Sequence, residues 1–388
     1  MDWPLLILVL LISLFGVISI FSATTTEVTE YPHSLTEMLE TQSTYYSGAQ
    51  LRWILVGLLG MVLIMIPHYR LFARWATVIY WLNVGVLILT KLIAQVGRGG
   101  MQAFLSVGGQ GFQPSEFGKI AMIVCFARQF AVRKKPISTL RDFLIMTINM
   151  AFPMMLVAIQ PDVGTAMVYI FVFAMMVFLS GTNTRLLVGS VAIAAALLLT
   201  LWYAMNNTAG STDFRFTRIL IWLDPESYPD DARQVINAQI AVGSGGLWGK
   251  GIVSPGSFAS LGYISDDHTD FIYAIVCESF GMIGGISLVV AYILLIVRMF
   301  YLALKTPDPY GAYVITGVLS MLLAHIIENI CMVIGLLPVT GIPLPFVSYG
   351  GSNLITNFIA IGLVESVCIR NREHARTIRT SATRVNPI

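Results

Sequence analysis

The chain has 388 residues, 56% of them hydrophobic and only 11% charged, with a formal net charge of +2. Soluble domains carry about 25% charged residues, so this composition excludes a soluble globular fold. The small net charge says little about partners, and no nucleic-acid partner is expected.

Apolar runs long enough to span a bilayer occur near residues 4–23, 51–67, 75–95, 114–131, 142–160, 162–180, 185–205, 271–297, 311–337 and 352–369. The predicted fold is therefore all-α: a polytopic integral membrane protein of about ten transmembrane helices. The first run has Asp2 as its only preceding charge and reads as an uncleaved first helix. Residues 1–370 form the membrane domain, and a large extracytoplasmic loop, about 206–270, separates helices 7 and 8. Residues 371–388 make a basic cytoplasmic tail, expected to be disordered. The cysteines Cys125, Cys277, Cys331 and Cys368 lie in apolar runs and read as buried small hydrophobes.

Lys and Arg set the orientation. Arg70, Arg74, Arg133, Lys134, Lys135, Arg141, Arg185, Arg298 and Lys305 share one set of alternate connections with the tail arginines. Glu27, Glu30, Glu37, Glu40 and the acids around Asp224 to Asp231 lie in the other set. Both termini are then cytoplasmic, in the inner (cytoplasmic) membrane, and the long loop faces outside. That loop is too rich in aromatic and aliphatic residues for a linker. One or two short amphipathic helices are expected there, anchored at the interface by Trp222 and Trp248, followed by flexible turns at 243–246 and 249–251.

Asp270 closes the loop where the chain turns apolar. Two readings stand: a helix cap, or a carboxylate placed for chemistry at the membrane surface. Glu116 and Lys119 are three apart on one helix face, so a mutual ion pair is the economical reading. Gln160-Pro161-Asp162 breaks two spans, with Asp162 a candidate cap. Glu278, His325 and Glu328 add ionisable groups within spans, which together suggest a polar cavity formed by Glu116, Lys119, Gln160, Asp162 and Glu278. Ser348-Tyr349-Gly350-Gly351-Ser352 reads as a broken helix start able to meet an anion, or as a plain Gly/Pro turn. No P-loop, dinucleotide fingerprint or zinc spacing is present, and no organic cofactor is expected.

Several stretches together resemble the SEDS family (RodA/FtsW/SpoVE). They are Phe112-Gln113-Pro114-Ser115-Glu116-Phe117-Gly118-Lys119, Gln160-Pro161-Asp162-Val163-Gly164-Thr165, the loop from Arg218 to Gly251, His268-Thr269-Asp270-Phe271, and Gly341 through Ser352. Departures fall at Ala103-Phe104, where the family usually has Arg-Trp, at Ala232-Arg233-Gln234, and at Asp266-Asp267. The resemblance implies a peptidoglycan glycosyltransferase that polymerises lipid II, an undecaprenyl-diphosphate-linked substrate, at the outer face. It also implies a class B penicillin-binding protein as partner. Asp270 matches the family's essential aspartate, and Glu116 with Lys119 its intramembrane ion pair.

Such chemistry needs a base for the acceptor hydroxyl and cations for the departing diphosphate. Asp270 is the candidate base. Arg215, Arg218, Arg233 and Lys250 are candidate cations, with His268, Ser348, Gly350, Gly351 and Ser352 as further substrate contacts. A divalent cation, Mg or Mn, could share the role through Asp270 or its neighbours Asp266 and Asp267. Two other functions fit the same residues: a lipid II flippase, and a non-catalytic membrane scaffold for a penicillin-binding protein.

Overall fold

The computed structural model describes residues 1–24, 44–94, 103–107, 110–133, 137–189, 214–265 and 267–385, with side chains omitted at 106–110, 214–217, 231 and 374–385. Eleven labelled helices carry the architecture. They are α1 Trp3–Ala23, α2 Thr44–Met65, α3 Arg70–Ile93, α4 Pro114–Val132, α5 Leu140–Ile159 and α6 Val163–Leu179. Then come α7 Phe214–Leu223, α8 Pro229–Ser244, α9 Ile272–Lys305, α10 Pro309–Val333 and α11 Gly351–Val385. A further helix begins at 184, and most of the span expected at 185–205 lies outside the described residues.

Helix starts follow local capping chemistry. Asp2, Thr139, Asp162 and Asp308 each accept a hydrogen bond from a backbone N–H in the first turn of the helix they precede, and Pro occupies an early position of α1, α4 and α10. Seven described helices are long and apolar enough to cross a membrane. α4 and α6 match two more of the ten expected spans; α4 gives up apolarity to hold Glu116 and Lys119, and α6 is short, with 17 residues.

α10 and the first turns of α11 form the buried centre, whereas α2, α3 and α5 show an apolar outer stripe that includes Leu55, Leu92 and Ile148. Without water outside, such a stripe is solvated by lipid, and polar groups are driven to the bundle interior. The termini share one face of the bundle. Asp2 accepts from Arg298 near the end of α9 at 2.6 Å and from Arg372 of α11 at 3.2 Å, while its backbone N–H donates to Glu365. The long loop lies at the other end of α9, as expected.

Two local expectations need correction, and the all-α bundle carries one small addition. The all-α bundle includes a small antiparallel hairpin, β1 Leu105–Val107 with β2 Gln110–Phe112, whose three-residue strands are too short for a clear alternation pattern. The basic tail is helical to Val385, because neither Gly nor Pro interrupts α11 after Arg370. The glycine segment 245–251 is not a flexible turn. It lies against a break in α9 at Gly281, where Lys250 N–H bonds Glu278 O at 2.9 Å and Met282 N–H bonds Gly246 O at 2.8 Å. Gly281 has φ 68° and Gly249 φ 83°, and a Cβ on Gly249 would meet Ser279 O at 2.2 Å. Glycine serves close backbone approach here. The two short loop helices, α7 and α8, are as expected. Trp222, however, donates to Gly335 O at 2.9 Å, an anchor to protein, while Trp248 is exposed.

Candidate active site

At the loop face, the chain from His268 to Asp270 is stitched to the connection between α10 and α11. Tyr349 N–H donates to His268 O at 2.9 Å and Ser348 Oγ donates to Thr269 O at 2.6 Å. Asn329 of α10 donates to both Asp270 O, at 2.7 Å, and Ile342 O, at 2.8 Å. The Asp270 carboxylate faces Gly341, where a Cβ would sit 3.5 Å from Oδ2. Phe271 holds the N-cap position of α9 with no side-chain cap bond, and Asp270 directly precedes it. Asp270 is half-buried at the mouth of the bundle.

Arg218 of α7 is brought to the same mouth. Its Nη1 donates to Val339 O at 3.1 Å, in the connection that also holds Asp270. Burial lowers the Arg218 pKa, and the field of Asp270 works against that shift. A cation and a carboxylate thus share a partly desolvated site, the arrangement that suits a developing anion beside a base. His268 packs on Tyr46 with the rings tilted by 41° and centroids 4.5 Å apart, and its Nδ1 contacts Asp267 Oδ1 at 3.0 Å. Phe346, wholly buried behind the site, has φ 66°. A non-glycine residue there stores strain of about 1–3 kcal/mol, held by packing on Phe358.

Deeper in the bundle is a dry polar network. Lys119 Nζ lies 2.7 Å from Glu116 Oε1 and 2.8 Å from His325 Nε2. Glu116 Oε2 accepts from Asn353 of α11 at 2.8 Å. Asp162 Oδ2 accepts from Gln113 at 2.7 Å and Ser115 at 3.2 Å, while its Oδ1 caps α6. Glu116, Lys119 and Asp162 are each at most 5% exposed.

The other expected site residues fall elsewhere. Gln160 is buried, but its amide donates to Leu87 O and ties α5 to α3. Glu278 accepts from Lys250 Nζ at 2.6 Å and from Phe258 N–H at 2.9 Å; it anchors the loop, and neither partner bonds the Glu116 network among the described residues. Ser352 Oγ accepts from Gln113 N–H at 3.1 Å, which seats the hairpin on α11. Gly351 packs on the Trp53 ring, with Gly350 beside it at the helix start. Arg233 is exposed on α8. The Arg215 side chain and Asp266 lie outside the described residues. No group of three His, Cys, Asp or Glu suited to a metal occurs among the described residues.

Asn329, Asn353, Gln113 and Tyr46 were not singled out by sequence reasoning. The available signal was an amide inside an apolar helix, as at Asn329 beside Glu328.

Fold and site together define a multi-pass helical membrane protein with a half-buried carboxylate and an arginine brought together at the loop end of the bundle. The family described as "Cell cycle protein", for which FtsW, RodA and SpoVE are the namesakes, matches residues 2–373, and the chain belongs to it. Peptidoglycan glycosyltransferase MrdB of Escherichia coli K12 is 36% identical over 315 residues, covering 81% of this chain and 83% of the relative. Stage V sporulation protein E of Bacillus subtilis is 32% identical over 372 residues, covering 94% and 96%. Among solved structures, the rod shape determining protein RodA of Thermus thermophilus superposes with a TM-score of 0.68 at 25% identity, covering 96% of this chain and 97% of that one. A chain from a peptidoglycan synthase complex, studied for coordination of polymerization and crosslinking, gives 0.76 at 26% identity, covering 95% and 98%.

Proposed function

We propose that this protein is a peptidoglycan glycosyltransferase that polymerises lipid II at the outer face of the cytoplasmic membrane. The observation that carries the reading is the half-buried Asp270 carboxylate, close enough to Arg218 for its charge to act on that guanidinium. Membership of a family whose relatives are named peptidoglycan glycosyltransferases supports it.

In this reading Asp270 accepts the proton of the acceptor sugar hydroxyl. The hydroxyl oxygen forms a bond to the donor's anomeric carbon, and the bond from that carbon to the lipid diphosphate oxygen breaks. The leaving diphosphate takes the electron pair, and Arg218 meets its charge. Arg233, exposed on α8, is a further candidate cation for the diphosphate, as is Arg215 by its place in the sequence. Lys250, tied to Glu278, holds the loop instead. A Mg or Mn ion would be held by Asp270 together with diphosphate oxygens, since Mg commonly binds through one or two carboxylates and substrate phosphates. Hydrogen bonds around Asn329 and Ser348 keep the Asp270 backbone in place. A class B penicillin-binding protein is the proposed partner, in line with the structural likeness to a synthase complex.

The deciding experiment is glycan product from purified protein and lipid II, for wild type and Asp270→Asn. We expect product from wild type and a loss of at least about 10²-fold in the variant, the scale of general acid–base groups. Thermal melting should be near wild type, because Asn keeps the size of Asp and caps a helix about as well. An equally active Asp270→Asn sinks the assignment, and an inactive wild type with lipid II transport favours the flippase. Orientation is tested by single cysteines at Ser227 and Ser381, in a background without the native four. An impermeant reagent should label only the first from outside.

A further inference from the structure

A second cavity, of about 460 Å³, lies between α3, α4 and α5, where the chemistry above does not reach. Thr77, Tyr80 and Trp81 of α3 line it, with Arg128 of α4, Arg133 just beyond that helix and Asn149 of α5. Tyr80 Oη donates to Asn149 O at 2.9 Å and ties α3 to α5 across it. Arg128 Nη1 donates to Thr77 Oγ1 at 3.2 Å. That bond uses one of the five N–H donors of a guanidinium and holds its plane at the cavity wall. Arg133 sits 3.4 Å from Asp142, a pair in which Asp142 is exposed and Arg133 partly so.

Depth and rim identify the ligand. Arg128 lies four residues before the end of α4, about 6 Å along the axis, so both arginines are near the headgroup level of a bilayer. The rim is apolar and faces outward: Trp81 is 61% exposed and Val132 73%. Acyl chains can lie along that rim while a phosphate enters between the helices. Basic pockets between membrane helices are suited to anionic lipid headgroups, and Arg meets phosphate with paired hydrogen bonds.

We infer that this cavity binds the headgroup phosphate of an anionic glycerophospholipid, with Arg128 as principal ligand and Arg133 as the second. That the leaflet is the cytoplasmic one rests on the topology proposed above; the binding does not, and it needs no polymerase activity.

The test is lipid retention, read by native mass spectrometry after detergent exchange from phosphatidylglycerol or phosphatidylcholine. Wild type should keep phosphatidylglycerol and lose phosphatidylcholine. Arg128→Gln should lower phosphatidylglycerol retention about tenfold, the effect of roughly one charge-assisted hydrogen bond. Thr77→Trp, which fills the cavity without removing a charge, should do the same. Asp142→Asn should raise retention by releasing Arg133. Equal retention of the two lipids by wild type overturns the inference. So does unchanged phosphatidylglycerol retention in Thr77→Trp, which decides the matter if Arg128→Gln does not fold. Displacement of the lipid by millimolar inorganic phosphate would mark a soluble-anion site and overturn the lipid assignment. An inactive polymerase that still shows the expected retention pattern would leave this site standing and the proposed function refuted.

Discussion

Two Glu–Lys pairs have nearly equal distances and different roles. Glu116–Lys119 closes at 2.7 Å and Glu278–Lys250 at 2.6 Å, and both carboxylates are buried. They differ in the lysine: the Lys119 side chain is 1% exposed and that of Lys250 27%. Lys119 and Glu116 lie one turn apart on one helix and are completed by α10 through His325 and by α11 through Asn353. Lys250 comes from the loop and reaches Glu278 across 28 positions, where Phe258 N–H shares the same oxygen. The first pair is an interior junction of three helices. The second is a staple that holds the loop on the broken stretch of α9. Distance alone does not distinguish them; solvent access and the origin of the partners do.

The interior pair should give the largest effect when broken. Lys119→Ala leaves the Glu116 carboxylate with Asn353 as its remaining partner, in a site closed to water. Removing one member of a buried pair costs about 3–5 kcal/mol. Glu116→Ala strands the lysine in the same way, although His325 remains in reach. The double variant strands neither charge and should recover folded yield and thermal stability relative to either single one. Melting of all three proteins in one detergent checks this, and a double variant no better than the worse single one would break the distinction from the staple.

The staple should break more gently and locally. Lys250→Met removes the cation, but Glu278 keeps the Phe258 N–H, and water can reach where the lysine stood. Glu278 is itself 1% exposed, so the expected cost is about 1–3 kcal/mol, below the interior pair because Lys250 is partly open to solvent. Hydrogen exchange should quicken in residues 245–262 and stay unchanged in α4. Uniformly faster exchange would mean that the loop and the bundle form one cooperative unit.

How far these roles were legible in the sequence depends on the range of the contact. Glu116 and Lys119 could be paired from their spacing, and Asp162 could be read as a cap, because both relations close within three residues. Asp270 stood out because it closes a long polar loop where the chain turns apolar, a place suited to chemistry at the membrane surface. Asn353, 237 positions from Glu116, carries no mark of its partner. Nor does Asn329, whose amide fixes the backbone of the catalytic candidate. Lys250 read as a free cation and Gly249 as a flexible turn because the sequence shows residue type, whereas the docking surface on α9 exists only after folding. The basic tail was misjudged for a different reason: polarity indicates exposure, and an exposed helix remains a helix if nothing stops it.

The smallest effect sharpens the comparison most, since it leaves both pairs intact. Raising ionic strength from 0.1 M to 1 M shortens the Debye length from about 10 Å to about 3 Å. Ions reach a pair only where solvent does. The partly exposed Lys250 should therefore lose part of its attraction to Glu278, a few tenths of a kcal/mol on the scale of exposed pairs. Lys119, sealed in the bundle, should be indifferent. In wild type, hydrogen exchange at 245–262 should rise modestly with salt while exchange in α4 does not. Lys250→Met should show faster exchange at low salt and no further rise, because the charge that salt would screen is gone. A salt response that persists in Lys250→Met would assign it to other loop charges such as Arg233, and the staple would then be a hydrogen bond whose charge contributes little.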